Sequence, residues 1–359
     1  MHTLLVTPSK KGGMIHYASQ LSNSLSAEVD VTQIIGDGGN ENKFNQSVKV
    51  EEINFPHSRK ELFGPNTIQS FFSLREVLDD NDFDIIHITE PSARLLPVLP
   101  TLSRRELCVT IHDVNAHEGE KTLHFELVQR LLVKMADDIF VHGKYNLNQL
   151  NKKYGKNIKC KSIPHGDYSM FRNYCDTGLT YDPMVLFFGR LEEYKGLETL
   201  IDAADIVSEF DSHHEIIIAG NGELAFDKQL LPNNIKIINR YIPDERVCEL
   251  FSRACAVVLP YHEATQSGII PISYSFSKPV IVSSVGGIPE VVEHQRTGFL
   301  VEPENSEELA NYILKVIRNK QLCIQMGKNA KDFSDLYLNW KNISKEIIST
   351  YKSYHNESN

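Results

Sequence analysis

The chain has 359 residues, 41% hydrophobic and 23% charged, a globular mixture with length enough for about two domains. Its 37 basic and 47 acidic side chains give a formal net charge of −10, which disfavours a nucleic-acid binder that must neutralise phosphates with surplus Lys and Arg. No run approaches the roughly 20 apolar residues that span a bilayer, the opening MHTLLVTPSKKGG has no basic leader before an apolar core, and the six cysteines form no CxxC pair. A cytoplasmic protein with reduced, mostly buried thiols is expected.

Short apolar runs alternate with helical patterns along the whole chain. Strands are predicted at 3–7, 29–35, 85–89, 107–111 and 138–141, then at 184–189, 215–219, 235–238, 256–259 and 280–283. Most are continuous apolar runs, as in strands buried on both faces of a parallel sheet. Helices are predicted at 14–26 and 196–210, and one or two more at 332–354, around the only tryptophan, Trp340. Repeated βα units of this kind imply doubly wound α/β sheets. The expected division is a Rossmann-like domain over 1–164, a second over 165–335, and a terminal helix over 336–359 that crosses back to the first. Charge is divided unevenly: residues 1–165 hold 19 basic and 20 acidic side chains, the remainder 18 and 27.

The sharpest chemical signal is Val185-Leu-Phe-Phe-Gly189-Arg190-Leu-Glu-Glu-Tyr-Lys195-Gly196. A buried strand ends there and a helix begins, with two cations between them. In open α/β sheets, ligands sit outside the carboxyl ends of strands, where helix N-termini present N–H groups to anions. Arg as a planar fork and Lys as a compact point charge suit a diphosphate. A second segment, Glu263-Ala-Thr265-Gln266-Ser267-Gly268 followed by Pro271, lies between a strand and a short helix. Ser267 is the expected N-cap, and Glu263 is placed to accept hydrogen bonds from sugar hydroxyls.

Taken in order, Phe188-Gly-Arg190 with Lys195-Gly196, Arg240-Tyr-Ile242-Pro243, Glu263 with Ser267-Gly268, Val285-Gly-Gly287-Ile-Pro-Glu290 and Thr297-Gly298-Phe-Leu-Val resemble the retaining GT-B-fold glycosyltransferases of glycosyltransferase family 4. The likeness is strongest over residues 160–335. In the first half, Gly12-Gly13 before a helix stands where the family has its glycine loop, and His112-Asp113 where it has its active-site histidine. The resemblance implies two Rossmann-like domains with a cleft between them, and metal-independent, hexosyltransferase-type chemistry on a nucleotide sugar, with UDP favoured. Arg190 and Lys195 would hold the donor diphosphate, assisted by Thr265, Gln266, Ser267 and Gly268. The loop around Ile242 would flank the base, Gly12 and Gly13 would border the donor, and Glu263 and His112 would contact the sugar. The acceptor would be a glycan, a lipid-linked sugar or another precursor in polysaccharide biosynthesis. The nucleotide sugar is a substrate, so no cofactor is implied. No HxxxH spacing or carboxylate cluster suggests a metal.

The chain departs from the family at one point. The family's two glutamates, with seven residues between them, fall on Ala264 and Ile272 when counted back from Lys278-Pro279. Glu263 is displaced by one, and no second carboxylate is present to take the ribose. This is the best support for the alternative of a non-catalytic GT-B subunit that binds a partner glycosyltransferase or a glycan, against which the retained Arg190, Lys195, His112 and Glu263 speak. His87 and His165 are read as structural, acceptor-site or hinge histidines. The segment from Lys144 to Lys161 holds six lysines and no acid, and is expected to give at most a peripheral contact with an anionic membrane surface.

Overall fold

A computed structural model describes the chain except residues 40, 57–60, 62–63, 103–105, 116–122, 176–181, 212, 225, 227–230 and 358–359. It divides into two units, residues 1–166 together with 340–359, and residues 167–339.

The first unit runs β1 (His2–Thr7), α1 (Gly13–Leu25), β2 (Asp30–Gly36), β3 (Val48–Ile53), α2 (Pro65–Asp79), β4 (Ile85–Ile88), α3 (Leu99–Leu102), β5 (Glu106–Ile111), α4 (Leu123–Met135), β6 (Asp138–His142), α5 (Gly143–Tyr154) and β7 (Cys160–Ile163). The seven strands form one parallel sheet in the order β3-β2-β1-β4-β5-β6-β7. Alternate residues of β1 feed opposite faces: Leu4 and Val6 join one apolar cluster, Leu5 the other. The period of two along a strand thus yields a three-layer α/β/α unit.

The second unit runs β8 (Val185–Phe188), α6 (Leu197–Phe210), β9 (Ile216–Gly220), β10 (Ile235–Asn239), α7 (Asp244–Arg253), β11 (Ala256–Leu259), α8 (Ile269–Ser275), β12 (Val280–Ser283), β13 (Gly298–Val301), α9 (Ser306–Ile317) and α10 (Lys320–Tyr337). Its parallel sheet has the order β10-β9-β8-β11-β12-β13 around a single core. The chain then returns to the first unit as α11 (Trp340–Glu357). There Trp340, Ile343, Ile347 and Tyr351 pack with Tyr17 and Leu21 of α1 and with Leu5 and Phe140 of the sheet. Gly166 closes this packing, since a Cβ there would lie 2.1 Å from the Trp340 ring.

Three strands escape the sequence reading: β3, β7 and β13. All are sheet edges. Edge strands need not be apolar on both faces: β3 reads Val-Lys-Val-Glu-Glu-Ile and β7 Cys-Lys-Ser-Ile, while β13 is a short apolar run, Gly-Phe-Leu-Val. The expectation of six reduced thiols also needs correction. Cys175 and Cys248 are joined as a disulfide across 73 residues, because the turn Ser169–Tyr174 packs on α7; Cys108, Cys160, Cys255 and Cys323 remain thiols.

Candidate active site

The carboxyl ends of β8, β11 and β12 are neighbours in the second sheet, and their loops are tied by backbone contacts that only glycine permits. Gly196 has φ +68°, and a Cβ on it would sit 1.8 Å from the Pro260 carbonyl oxygen. Gly286 has φ +52°, and a Cβ there would meet the Ala264 oxygen at 1.6 Å. The His262 N–H donates to the Tyr194 carbonyl at 2.9 Å and the Gly287 N–H to the Thr265 carbonyl at 3.1 Å. The loop bearing Arg190 and Lys195 is therefore fixed against the loop bearing Glu263 and Ser267.

Both cations are held by their surroundings. Lys195 Nζ lies 4.0 Å from the centre of the Tyr261 ring and 4.7 Å from that of Tyr194. Two aromatic faces thus orient an ammonium that keeps its hydrogen-bond donors. Arg190 donates to the Tyr194 hydroxyl at 3.1 Å and pairs with Glu192 at 2.9 Å, with its side chain 57% exposed. Glu263 is exposed, whereas Thr265 and Ser267 are buried. Ser267 is not the cap residue expected. Gly268 occupies the N-cap of α8, while the Ser267 hydroxyl accepts from the Ile269 N–H at 3.3 Å. Gln266 Oε1 is buried with no hydrogen-bond partner among the described residues. Ala264 and Ile272, at the family's glutamate positions, are both buried. Ile242 follows β10, and its side chain is only 9% exposed, in the core, so its loop offers backbone and the exposed Tyr241 instead.

In the first unit, Gly12 caps α1 with φ +79°, a left-handed conformation, and a Cβ placed on either Gly12 or Gly13 would have nothing within 4 Å, which leaves open space there. His112 follows β5, and its Nε2 lies 2.9 Å from the Thr89 carbonyl. The fold also assembles what sequence spacing concealed: ring nitrogens of His112, His142 and His165 lie within 4.8 Å of one another. No spacing motif in the sequence reports this grouping, since its members come from three strand ends. Burial lowers all three imidazoles, His165 to about 4. His87 is not at an acceptor site. It is fully buried between the Tyr351 hydroxyl at 2.6 Å and the Thr110 hydroxyl at 2.8 Å, and burial pulls its pKa down to about 3.

The lysine segment is partly consumed by the fold. Lys153 donates to the Val114 carbonyl and to Gln129, both at 2.9 Å, and Lys161 to Thr350 at 2.9 Å. Leu147, Leu150 and Tyr154 turn inward onto the core, which leaves Lys152, Lys156 and Lys159 exposed. No described helix is long and apolar enough to cross a membrane.

Residues 178–333 match the glycosyl transferases group 1 family and residues 12–166 the glycosyl transferase 4-like domain. An uncharacterized glycosyltransferase of Methanocaldococcus jannaschii is 24% identical over 320 residues, covering 86% of each chain. Among solved structures, sucrose-phosphate synthase from Thermosynechococcus elongatus superposes with a TM-score of 0.78 at 18% identity, covering 99% of both chains. HepE of Anabaena, in complex with UDP and glucose, gives 0.73 at 19% identity, covering 98% of this chain and 99% of its own. The two sheets, the order of the motifs along both units and these likenesses lead to one conclusion: the chain belongs to the GT-B glycosyltransferases of the group 1, family 4-like kind.

Proposed function

We propose that the protein is a retaining, metal-independent, hexosyltransferase-type enzyme that moves a sugar from a nucleotide sugar, UDP-linked by preference, to a glycan or lipid-linked acceptor. The observation that carries this reading is the pair of cations on the β8–α6 loop, with Lys195 seated on the rings of Tyr194 and Tyr261. The acceptor hydroxyl oxygen attacks the anomeric carbon on the face of the leaving group. The bond from that carbon to the phosphate oxygen breaks, and its electron pair goes to the departing diphosphate. The same phosphate oxygen takes the acceptor's proton. Arg190 and Lys195, with backbone N–H groups at Ser267 and Gly268, stabilise the charge that develops there, work that a divalent ion does elsewhere. Glu263 and His112 contact the sugar, Gly12 and Gly13 leave room for it, and the loop of Ile242 flanks the base. The preference for UDP is supported by HepE, whose structure holds UDP and glucose. Lys152, Lys156 and Lys159 supply a weak peripheral contact with the inner face of an anionic membrane.

A screen of UDP-, GDP- and ADP-sugars by thermal shift and donor hydrolysis tests this. One nucleotide series should raise the melting temperature, as a ligand at about 100 times its Kd stabilises by about 2.7 kcal/mol. The second reading, a non-catalytic subunit, is favoured by buried Ala264 and Ile272 at the family's carboxylate positions. No stabilisation by any donor would select it.

A further inference from the structure

Three histidines from neighbouring strands face one another in the first unit. His112 follows β5, His142 ends β6 and His165 lies two residues past β7; these strands are consecutive in the sheet, with Ile111 beside Val141 and His142 beside Ile163. In a parallel sheet the carboxyl ends line up, so residues 30 and 23 positions apart converge. His112 Nδ1 and His142 Nε2 are 3.2 Å apart. For comparison, zinc–nitrogen bonds of 2.0–2.1 Å in a tetrahedron put ligand atoms roughly 3.3 Å apart.

The surrounding hydrogen bonds bear on which ring nitrogens carry protons. The Thr89 carbonyl can only accept, so His112 Nε2 carries the ring proton and donates to it. In a neutral imidazole this leaves Nδ1 as a lone pair, and it points at His142 Nε2. His165 Nδ1 likewise faces the Gly166 carbonyl at 3.3 Å. The His142 ring lies against the carbonyls of Ile163 and Pro164, yet its Nδ1 has no hydrogen bond of normal geometry. Backbone carbonyls behind metal-bound histidines are the usual device for setting tautomer and ring angle. The neutral imidazole is the form that ligates a metal. Tyr17 meets all three edge-on, with centroids 4.6, 5.4 and 5.6 Å away, and restrains the cluster. The field of Asp113 acts on His112 and His165 and would offset part of a cation's charge.

We propose that His112, His142 and His165 form a divalent transition-metal site, with zinc the ion suited to three neutral imidazoles and an open fourth position for water or an anion. Metal bound there withdraws His112 from the sugar, so zinc inhibits transfer; this second clause rests on the function proposed above, the first does not.

The test begins with the full chain, stripped with EDTA and dialysed against zinc. Metal analysis should find one zinc per chain, and cobalt loading should give the intense visible bands of a tetrahedral site. His142→Gln and His165→Gln should each weaken zinc binding at least about tenfold, with circular dichroism reporting that the fold persists. Wild-type protein that binds no more zinc than either variant, or cobalt that gives no tetrahedral spectrum, overturns the site. Should the variants fail to fold, the cobalt spectrum of the wild-type chain decides alone. Donor hydrolysis should slow with zinc and recover with EDTA; unaltered hydrolysis at full zinc occupancy overturns the inhibition. No hydrolysis with or without EDTA overturns the glycosyltransferase reading and the inhibition with it, while zinc binding still stands or falls on the metal analysis.

Discussion

The two units share a parallel-sheet plan but place opposite chemistry at the carboxyl ends of their strands. The first carries 22 basic and 22 acidic residues and gathers uncharged imidazoles there. The second carries 15 basic and 25 acidic residues, a net charge of −10, yet sets two cations on a single loop. Screening over about 8 Å at physiological salt lets that loop attract a diphosphate despite the charge of its unit. Net charge describes a unit's whole surface; the site is set by which residues the strand ends carry.

The largest effect expected in the second unit comes from its interlocked loops. Gly196→Ala or Gly286→Ala adds a methyl into a backbone carbonyl at a positive φ, which should cost about 2–5 kcal/mol. Thermal melts with limited proteolysis would locate the loss in residues 167–339. A melt unchanged by either substitution would mean the loops are not tied.

Arg190→Ala and Lys195→Ala should each lower kcat at least about a hundredfold, the scale for losing one donor to developing anionic charge. Stability should change by no more than about 1 kcal/mol, because Arg190 is largely exposed and its pair with Glu192 contributes little, and Lys195 loses only its contacts with the two rings. Wild-type turnover in either variant would sever the second unit's cations from the reaction.

Acid should separate the units. His87 and His165 have folded pKa values near 3 and 4, and His112 and His142 are also lowered. Unfolded histidine takes up its proton near pH 6.5, and the folded rings resist it. The stability they allow is therefore full above about pH 6.5 and falls as pH drops toward the folded values, by up to about 1.4 kcal/mol per pH unit for each ring. Hydrogen exchange from pH 7 to 5 should show the first unit loosening before the second, with a shallower slope in His87→Gln. Parallel loss in both units would contradict this.

The smallest effect expected is at the surface. Changing Lys152, Lys156 and Lys159 together to Glu should abolish co-sedimentation with anionic vesicles at low salt, at about 1 kcal/mol per cation. Unaltered sedimentation would show that the exposed lysines are a solvated face only.

The central strands were legible because burial on both faces demands unbroken apolar runs such as Ile-Phe-Val in β6 and Val-Leu-Phe-Phe in β8. Edge strands β3 (Val-Lys-Val-Glu-Glu-Ile) and β7 (Cys-Lys-Ser-Ile) break that pattern with polar residues, whereas β13 (Gly-Phe-Leu-Val) keeps it and was missed all the same. The Arg190–Lys195 loop could be read because strand, loop and helix are contiguous in sequence. The histidine trio could not, since its members meet only through the adjacency of β5, β6 and β7. A partial signal was nonetheless present: His112 and His142 stand at or just past the end of apolar runs, where parallel strands present their ligands, whereas β7 before His165 reads Cys-Lys-Ser-Ile and gives no such cue. Cys175 and Cys248, 73 residues apart, offered no local cue to their pairing. The seat of Lys195 on Tyr261 likewise depends on β8 and β11 being neighbours.

The most direct test of the central claim is calorimetric titration of the full chain with UDP, beside the Arg190→Ala/Lys195→Ala double variant. One UDP should bind per wild-type chain, with affinity at least about a hundredfold weaker in the double variant, about 2.7 kcal/mol, and with an unchanged melting temperature. Binding of equal strength in both proteins, or no binding of UDP, GDP or ADP to the wild type, would contradict a diphosphate held by these two cations.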